Sequence, residues 1–276
     1  MTEPFVLAVS NRKGGSGKTT TSVNLAAEWS GRGLRTLVVD LDTQGHAGFG
    51  LGITPVKGAA TAHDIFRAPG FELSSAVLPT AWPNLWCAPA DFLYDGTDSG
   101  GNGGDAGLLA AQLRAPRIRD AYDIIVLDTP PSLDQVLLNA MAAADGVLIP
   151  MLPHALSAEG VKQLARLFYR VASSSNAGLK VIGLLPVMAS ARINHHRSVI
   201  ADVTKQFGPE RVLRGIRADI QLAEAFAARR PIRAYAPRSR GALDYSLLAD
   251  ELGKLWRWPD GRPVRPQASA QPAKKV

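Results

Sequence analysis

The stretch Asn11-Arg12-Lys13-Gly14-Gly15-Ser16-Gly17-Lys18-Thr19-Thr20 decides the fold of this chain. An apolar run at residues 5–9 comes before it and is typical of a buried strand, whereas the residues from Lys18 onward favour a helix that ends near Gly31. Small residues between a strand and a helix let backbone N–H groups surround a phosphate, and the helix adds the positive end of its dipole. We therefore predict a phosphate-binding loop, with Lys18 on the β- and γ-phosphates and Thr19 on Mg²⁺.

Further apolar runs of strand length recur along the chain, at residues 36–40, 85–87, 123–127, 146–149 and 179–185. Stretches of helix length separate them, for example residues 157–171. Strands that are apolar throughout and alternate with helices indicate a parallel sheet covered on both faces. We predict an α/β fold, a doubly wound and mostly parallel sheet.

The 276 residues read as one domain followed by a tail. The domain is predicted to cover residues 1–258, with a mobile glycine-rich loop at 95–107. Residues 259–276 contain four prolines and end in two lysines and a valine, which is typical of a disordered basic tail.

Composition excludes several classes of protein. No apolar run approaches the roughly 18 residues that a membrane-spanning helix needs. Cys87 is the only cysteine, so the chain cannot form an internal disulfide or a thiolate metal cluster. The adjacent pair His195 and His196 would point to different faces of a helix, which favours solvated side chains over a metal site. Because the first residues do not resemble a secretory signal, we expect a cytoplasmic protein.

The positive charge is concentrated in the last third of the chain. Residues 1–190 hold 14 Lys and Arg against 16 Asp and Glu, a net charge of −2, and residues 191–276 hold 17 against 8, a net charge of +9. This asymmetry favours a surface that meets a polyanion such as DNA over a merely solvated basic face. Arginine dominates the group, and its planar fork suits phosphate oxygens.

The phosphate loop carries two lysines, and Lys18 already serves the phosphates of its own subunit. Lys13 is awkwardly placed to reach the same γ-phosphate. A cation there is better used on a nucleotide that a second subunit holds. We interpret this arrangement as nucleotide-dependent dimerisation.

The loop with its second lysine resembles the ParA/MinD branch of the deviant Walker-A P-loop ATPases, and specifically the ParA partition ATPases. Three other segments add to the resemblance. Val39-Asp40-Leu41-Asp42-Thr43-Gln44-Gly45 is similar to the second motif of the family, and Ile125-Val126-Leu127-Asp128-Thr129-Pro130-Pro131-Ser132 is similar to its Walker B motif. Residues 231–242 resemble a proline-arginine segment of ParA chains.

The resemblance implies roles for individual residues. It makes Asp42 the residue that orients the attacking water and Lys13 the one that crosses to the partner subunit, so that the expected catalytic residues are Lys13, Lys18 and Asp42. The expected nucleotide-binding residues are Gly14, Gly15, Ser16, Gly17, Lys18, Thr19 and Thr20. Mg²⁺ is expected at Thr19, Asp40 and Asp128, although Asp40 is equally well interpreted as a residue with a structural role at the end of its strand. The best candidates for DNA contacts are Arg217, Arg233, Arg238 and Arg240.

The resemblance also implies a function. It predicts a slow Mg²⁺-dependent ATPase, with ATP and Mg²⁺ as cofactors, that forms a homodimer with ATP and binds double-stranded DNA without sequence preference. Such a protein associates with the nucleoid, works with a small ParB-like or adaptor protein that stimulates its ATPase, and positions a cargo. The cargo is a plasmid or chromosome partition complex, or a protein body such as a carboxysome.

The alternative is a membrane-associated spatial regulator of the MinD type. It would use the apolar stripe on the last helix, which contains Leu243, Leu247, Leu248, Leu252, Leu255 and Trp256. The stripe has few nearby cations, so we favour packing on the sheet and expect no stable membrane anchor. The chain also departs from the family pattern at Thr43, His46, Ser190 and residues 217–219, which leaves adenine recognition and the DNA contacts open.

Overall fold

The fold is taken from a computed structural model, which describes residues 3–54, 56–96, 106–132, 134–154, 166, 168–171 and 173–256. Most of the helix predicted at 157–171, the centre of the 95–107 loop and all of the tail at 259–276 lie outside the described residues.

The strands are β1 (Phe5–Val9), β2 (Thr36–Asp40), β3 (Leu78–Pro79), β4 (Leu85–Ala88), β5 (Ile124–Asp128), β6 (Gly146–Met151), β7 (Lys180–Ala189) and β8 (Ile216–Arg217). The helices are α1 (Lys18–Ser30), α2 (His46–Gly50), α3 (Asp64–Arg67), α4 (Leu108–Arg114), α5 (Pro116–Arg119), α6 (Gln135–Ala143), α7 (Asn194–Phe207), α8 (Ile220–Ala227), α9 (Ile232–Tyr235) and α10 (Arg240–Leu255). Two 3₁₀ helices lie at Leu73–Ala76 and Pro209–Arg211.

These strands form one sheet in the order β3-β4-β2-β5-β1-β6-β7-β8. All neighbours are parallel except β3 and β4, so the prediction of a mostly parallel, doubly wound sheet is confirmed. The predicted strands are all present. β7 is longer than predicted, because its end continues to pair with Met151 of β6 and with β8. The two-residue strands β3 and β8 carry no sequence signal of their own.

The sheet separates two apolar layers, and β5 shows how the sequence builds both. Ile124 and Val126 face the layer that contains α1 and α10, whereas Ile125 and Leu127 face the layer that contains α4 and α6. Successive side chains of a strand point to opposite faces, so an unbroken apolar run serves both layers. The carboxyl ends of β1, β2 and β5 consequently meet at one buried edge.

The last helix, α10, packs on the sheet through part of its apolar stripe. Leu248 and Leu252 are fully buried, and the Trp256 ring lies 4.1 Å from that of Phe5. Leu243 and Leu255 are exposed, so for these two residues the packing prediction is wrong. They lie on the side of the helix that turns away from the core. Within the described ranges, no helix has both the length and the apolar character to cross a bilayer.

Candidate nucleotide site and arginine groove

The phosphate loop connects β1 to α1 at the carboxyl edge of the sheet. Its backbone bends at Gly15 and Gly17, whose φ angles are 70° and 82°. Residues that carry a Cβ rarely adopt such angles. A Cβ on Gly17 would also approach Val187 of β7 to 3.3 Å. Glycine at position 17 therefore satisfies two constraints, a left-handed turn and a close approach to the neighbouring strand.

Asn11 fixes the start of the loop. Its side-chain amide donates to the carbonyl of Pro150 in β6 at 2.6 Å, and its side-chain oxygen accepts from the backbone N–H of Lys13 at 3.0 Å. The sequence analysis did not single out Asn11. The signal for it was weak, since an asparagine in a turn is common.

The other loop residues differ in exposure. Lys13, Gly14 and Gly15 are exposed, Gly17, Thr19 and Thr20 are half-buried, and Ser16 and Lys18 are buried. The Ser16 hydroxyl is buried and has no hydrogen-bond partner among the residues that the structure describes. A buried hydroxyl of this kind is costly unless a ligand satisfies it, so its position fits an anion in the loop.

Asp128 lies beside the start of α1. Its two carboxylate oxygens accept hydrogen bonds from the hydroxyls of Thr19 at 2.8 Å and Ser22 at 2.9 Å. Burial raises the pKa of Asp128 to about 6, although the two hydroxyls and Lys18 lower it in part. The sequence analysis paired Thr19 with Asp128 as metal ligands but missed Ser22. The spacing of 19 and 22 on one helix face was the signal that could have found it.

Asp40 is the direct neighbour of Asp128 in the sheet register. One of its oxygens accepts the backbone N–H groups of Ala47 and Gly48, at 2.9 and 3.0 Å, and the other accepts that of Asp42 at 3.3 Å. Burial raises the pKa of Asp40 well above its ordinary value, and the nearby charge of Asp128 adds to the effect. The Asp40 side chain thus holds the first turn of α2, in agreement with the structural role considered for it. Its role as a metal ligand stays a prediction.

Asp42 lies two residues after the end of β2 and is buried. One carboxylate oxygen accepts the backbone N–H of Gln44 at 3.1 Å. Thr19 and Asp128 supply the hydroxyl and carboxylate oxygens that Mg²⁺ prefers. Among the described residues, no group of three or more His, Cys, Asp or Glu side chains could hold a metal ion by itself. The pair therefore fits an ion that takes its remaining ligands from phosphates and water.

The four arginines predicted to meet DNA line one surface groove of about 510 Å³, which also contains Glu28 and Ser239; we call it the arginine groove. The structure divides them into two pairs. Arg217 is bound to the nearly buried Asp244, with a shortest N–O distance of 2.7 Å, and this hydrogen bond raises the pKa of Arg217. Arg238 and Arg240 are exposed, with side chains open to solvent.

Arg233 belongs to the bound pair. Its guanidinium donates to the carbonyls of Ala27 and Glu28 near the end of α1, at 3.1 and 3.0 Å, and lies 3.5 Å from the Glu28 carboxylate. Burial raises the pKa of Glu28, and Arg233 is the largest influence that opposes this rise. Arg233 therefore adds a side-chain donor at the end of α1, where the Ala27 carbonyl also accepts the backbone N–H of Gly31 at 3.0 Å.

Known proteins resemble this chain in both sequence and fold. The family described as an AAA domain (AAA_31) matches residues 5–181. The chromosome-partitioning ATPase Soj of Thermus thermophilus is 36% identical, over 89% of this chain and 94% of Soj. The chromosome partitioning protein ParA of Caulobacter vibrioides is 33% identical, over 90% of this chain and 93% of ParA.

Among solved structures, cobyrinic acid a,c-diamide synthase from Mycobacterium smegmatis, with bound ADP and magnesium, superposes with a TM-score of 0.76. It is 30% identical, and the match covers 95% of this chain and 98% of that protein. The extent of these matches, together with the loop and the two strand-end aspartates, leads to one assignment. The chain belongs to the ParA family of P-loop ATPases.

Proposed function

We propose that this protein is a Mg²⁺-dependent ATPase that dimerises with ATP, binds DNA without sequence preference in that state, and positions a cargo over the nucleoid. The observation that carries the ATPase part is the contact of Thr19 with Asp128, directly after a glycine-bent loop that presents Lys18. The magnesium and ADP in the Mycobacterium smegmatis structure support this choice of ligands.

The residues of the site divide the work. The loop N–H groups and Lys18 bind and orient the phosphates, while Thr19 and Asp128 would hold Mg²⁺, which would supply charge neutralisation at the phosphates. Asp42 accepts a hydrogen bond from a water and aims it at the γ-phosphate. Phosphoryl transfer depends on the positioning of its groups more than on covalent chemistry. Because the site is complete only in the dimer, ATP hydrolysis is slow.

The dimer part of the proposal depends on Lys13. Its side chain is exposed on the loop. An exposed cation next to a phosphate site can reach the nucleotide of a facing subunit, which makes ATP the link between the two copies. Hydrolysis then releases the dimer.

The DNA part depends on the arginine groove. Arg238 and Arg240 are exposed there, in the same groove as Arg217, which binds Asp244, and Arg233, which binds the end of α1. Guanidinium groups suit phosphate oxygens, and the net charge of +9 in residues 191–276 supports a polyanionic partner. A partner that stimulates the ATPase, and the cargo itself, follow from the family and not from any residue described above.

The decisive experiment measures DNA binding by the full chain with ATP, with ADP and without nucleotide, for the wild type, Lys13→Ala and Asp42→Ala. We expect binding with ATP alone, lost in Lys13→Ala and kept in Asp42→Ala. Binding that ignores the nucleotide would contradict the switch. Liposomes in a parallel assay test the membrane alternative, which gains support if the protein binds them with ATP and ignores DNA.

A further inference from the structure

The short helix α2 follows the predicted catalytic residue Asp42 and is held at its first turn. Asp40 accepts the N–H groups of Ala47 and Gly48, as described above. The backbone of Asp42 and the first turn of α2 are therefore hydrogen-bonded to the same buried carboxylate at the end of β2.

At its other end α2 packs against the end of α8 and the turn that follows it. The ring of Phe49 lies 5.3 Å from that of Phe226, and the Arg229 guanidinium lies 4.9 Å above the Phe49 ring. A Cβ on Gly50 would lie only 3.1 Å from the Phe226 ring, so glycine permits this close contact. The contact is aromatic and cationic, and it is only half-buried, unlike the core of the sheet.

Arg229 also bonds directly to the segment after α2. One of its terminal nitrogens donates to the carbonyl of Ile53 and to the hydroxyl of Thr54, both at 2.8 Å. Its backbone has a φ of 58°, the left-handed region that a residue with a Cβ enters at a cost, and its Nε is buried without a partner in the described structure. Arg229 takes this conformation as the residue after the C-cap of α8, where its N–H and that of Arg230 donate to the carbonyls of Phe226 and Ala225, both at 2.9 Å.

From Arg229 the chain runs directly into the arginine groove. Ile232 donates its backbone N–H to the Asn24 side chain in α1 at 2.8 Å, and Arg233 binds the end of the same helix. Arg238 and Arg240 follow within a few residues. Arg229 thus begins the segment at the groove, residues 229–240, and contacts the segment at the nucleotide, residues 42–54.

We propose that Arg229 is a positioning residue that couples these two segments, so that the nucleotide bound near Asp42 sets the conformation of the arginine groove. The inference rests on the proposed function, because it assumes that nucleotide state and groove are linked. It assigns the link to one guanidinium that bonds to Ile53 and Thr54 and covers Phe49.

The test follows hydrogen exchange of backbone amides in the full chain, with a non-hydrolysable ATP analogue and with ADP. In the wild type we expect exchange in residues 229–240 to differ between the two nucleotides by about tenfold, within the range of ordinary allosteric coupling. In Arg229→Lys, which keeps the charge but loses the fork, we expect the difference at 42–54 to remain and the difference at 229–240 to fall to about twofold or less.

Two further variants separate coupling from plain loss of stability. Arg229→Gly removes the side chain and relieves the left-handed backbone, so it should fold at least as well and yet lose the same response. Arg230→Lys, at the neighbouring arginine that lies over the Trp82 ring and not against α2, should respond like the wild type.

The inference is overturned if Arg229→Lys and Arg229→Gly keep the wild-type response at 229–240, or if the wild type shows no response there. The proposed function fails in a different assay. If the wild type responds to nucleotide and both Arg229 variants lose the response, but the wild type binds no DNA with ATP, the DNA part of the proposed function is contradicted and the role of Arg229 is supported.

Discussion

At the end of β5, Asp128 is fully buried with both oxygens hydrogen-bonded, whereas in the arginine groove Arg238 and Arg240 are exposed to solvent. In the first region the buried Asp128 is held by the hydroxyls of Thr19 and Ser22, so its position is fixed from two sides. In the second region two arginines, Arg217 and Arg233, are partly exposed but bound to groups of the protein, and the other two are exposed to solvent. Residues of the same type therefore share a role only where their contacts and their exposure to solvent are similar.

The largest expected effect tests the buried region. Asp128→Asn keeps the shape of the side chain but removes the charge beside Thr19, so Mg²⁺ is held weakly and ATP hydrolysis should fall about 100-fold or more. Steady-state hydrolysis at several Mg²⁺ concentrations measures it. Asp145→Asn is the matched control. Asp145 directly precedes β6, and its carboxylate accepts the backbone N–H of Val6, away from the phosphate loop. This variant should hydrolyse ATP at nearly the wild-type rate.

The bound arginines are expected to act on stability. Arg233→Ala leaves the carbonyls of Ala27 and Glu28 and the Glu28 carboxylate without that donor, which should lower the free energy of unfolding by about 1–3 kcal/mol. Urea denaturation measures the change. Arg238→Ala should stay within about 0.5 kcal/mol of the wild type, as exposed substitutions usually do. Equal losses in both variants would remove the distinction between the two pairs.

The exposed arginines are expected to act on DNA. The double variant Arg238→Ala/Arg240→Ala should bind DNA with ATP about tenfold more weakly and reduce the slope of log affinity against log salt by about 1–2, with unchanged stability. A salt titration of DNA affinity checks both numbers. An unchanged slope would mean that neither guanidinium lies on a phosphate.

The smallest effect is a pH dependence of the buried region. The pKa of Asp128 is raised from 3.8 to about 6, so its protonated form gains population as pH falls below neutrality, and Mg²⁺ requires the ionised form. Hydrolysis at limiting Mg²⁺ should therefore fall to about half between pH 8 and pH 6.

The raised pKa of Asp128 affects stability in the direction opposite to its effect on hydrolysis. Between about pH 3.8 and 6 the folded, ligand-free protein binds more protons at Asp128 than the unfolded chain does. Its free energy of unfolding should consequently fall as pH rises through this window. Melting curves across the window, compared with Asp128→Asn, check the sign; a slope that persists in the variant would have to come from another group, such as Asp40.

Much of the fold and of the nucleotide site could be predicted because the signals are local. The strand, the glycine loop and α1 occupy one continuous stretch, residues 5–30, and an unbroken apolar run such as that of β5 already requires two covered faces. Local patterns say less about partners. Ser22 was missed because its role depends on Asp128, which lies 106 residues away.

The sequence by itself determined the parallel α/β architecture, the phosphate loop and the aspartates at the ends of β2 and β5, since spacing and apolar runs decide these within a few residues. Tertiary structure alone decided that Asp40 holds α2, that Arg217 binds Asp244 and Arg233 binds the end of α1, and that Arg229 reaches Ile53. The physical reason is that an arginine or aspartate takes its role from the partner it meets, and that partner is brought to it by the fold and not by its neighbours in the chain.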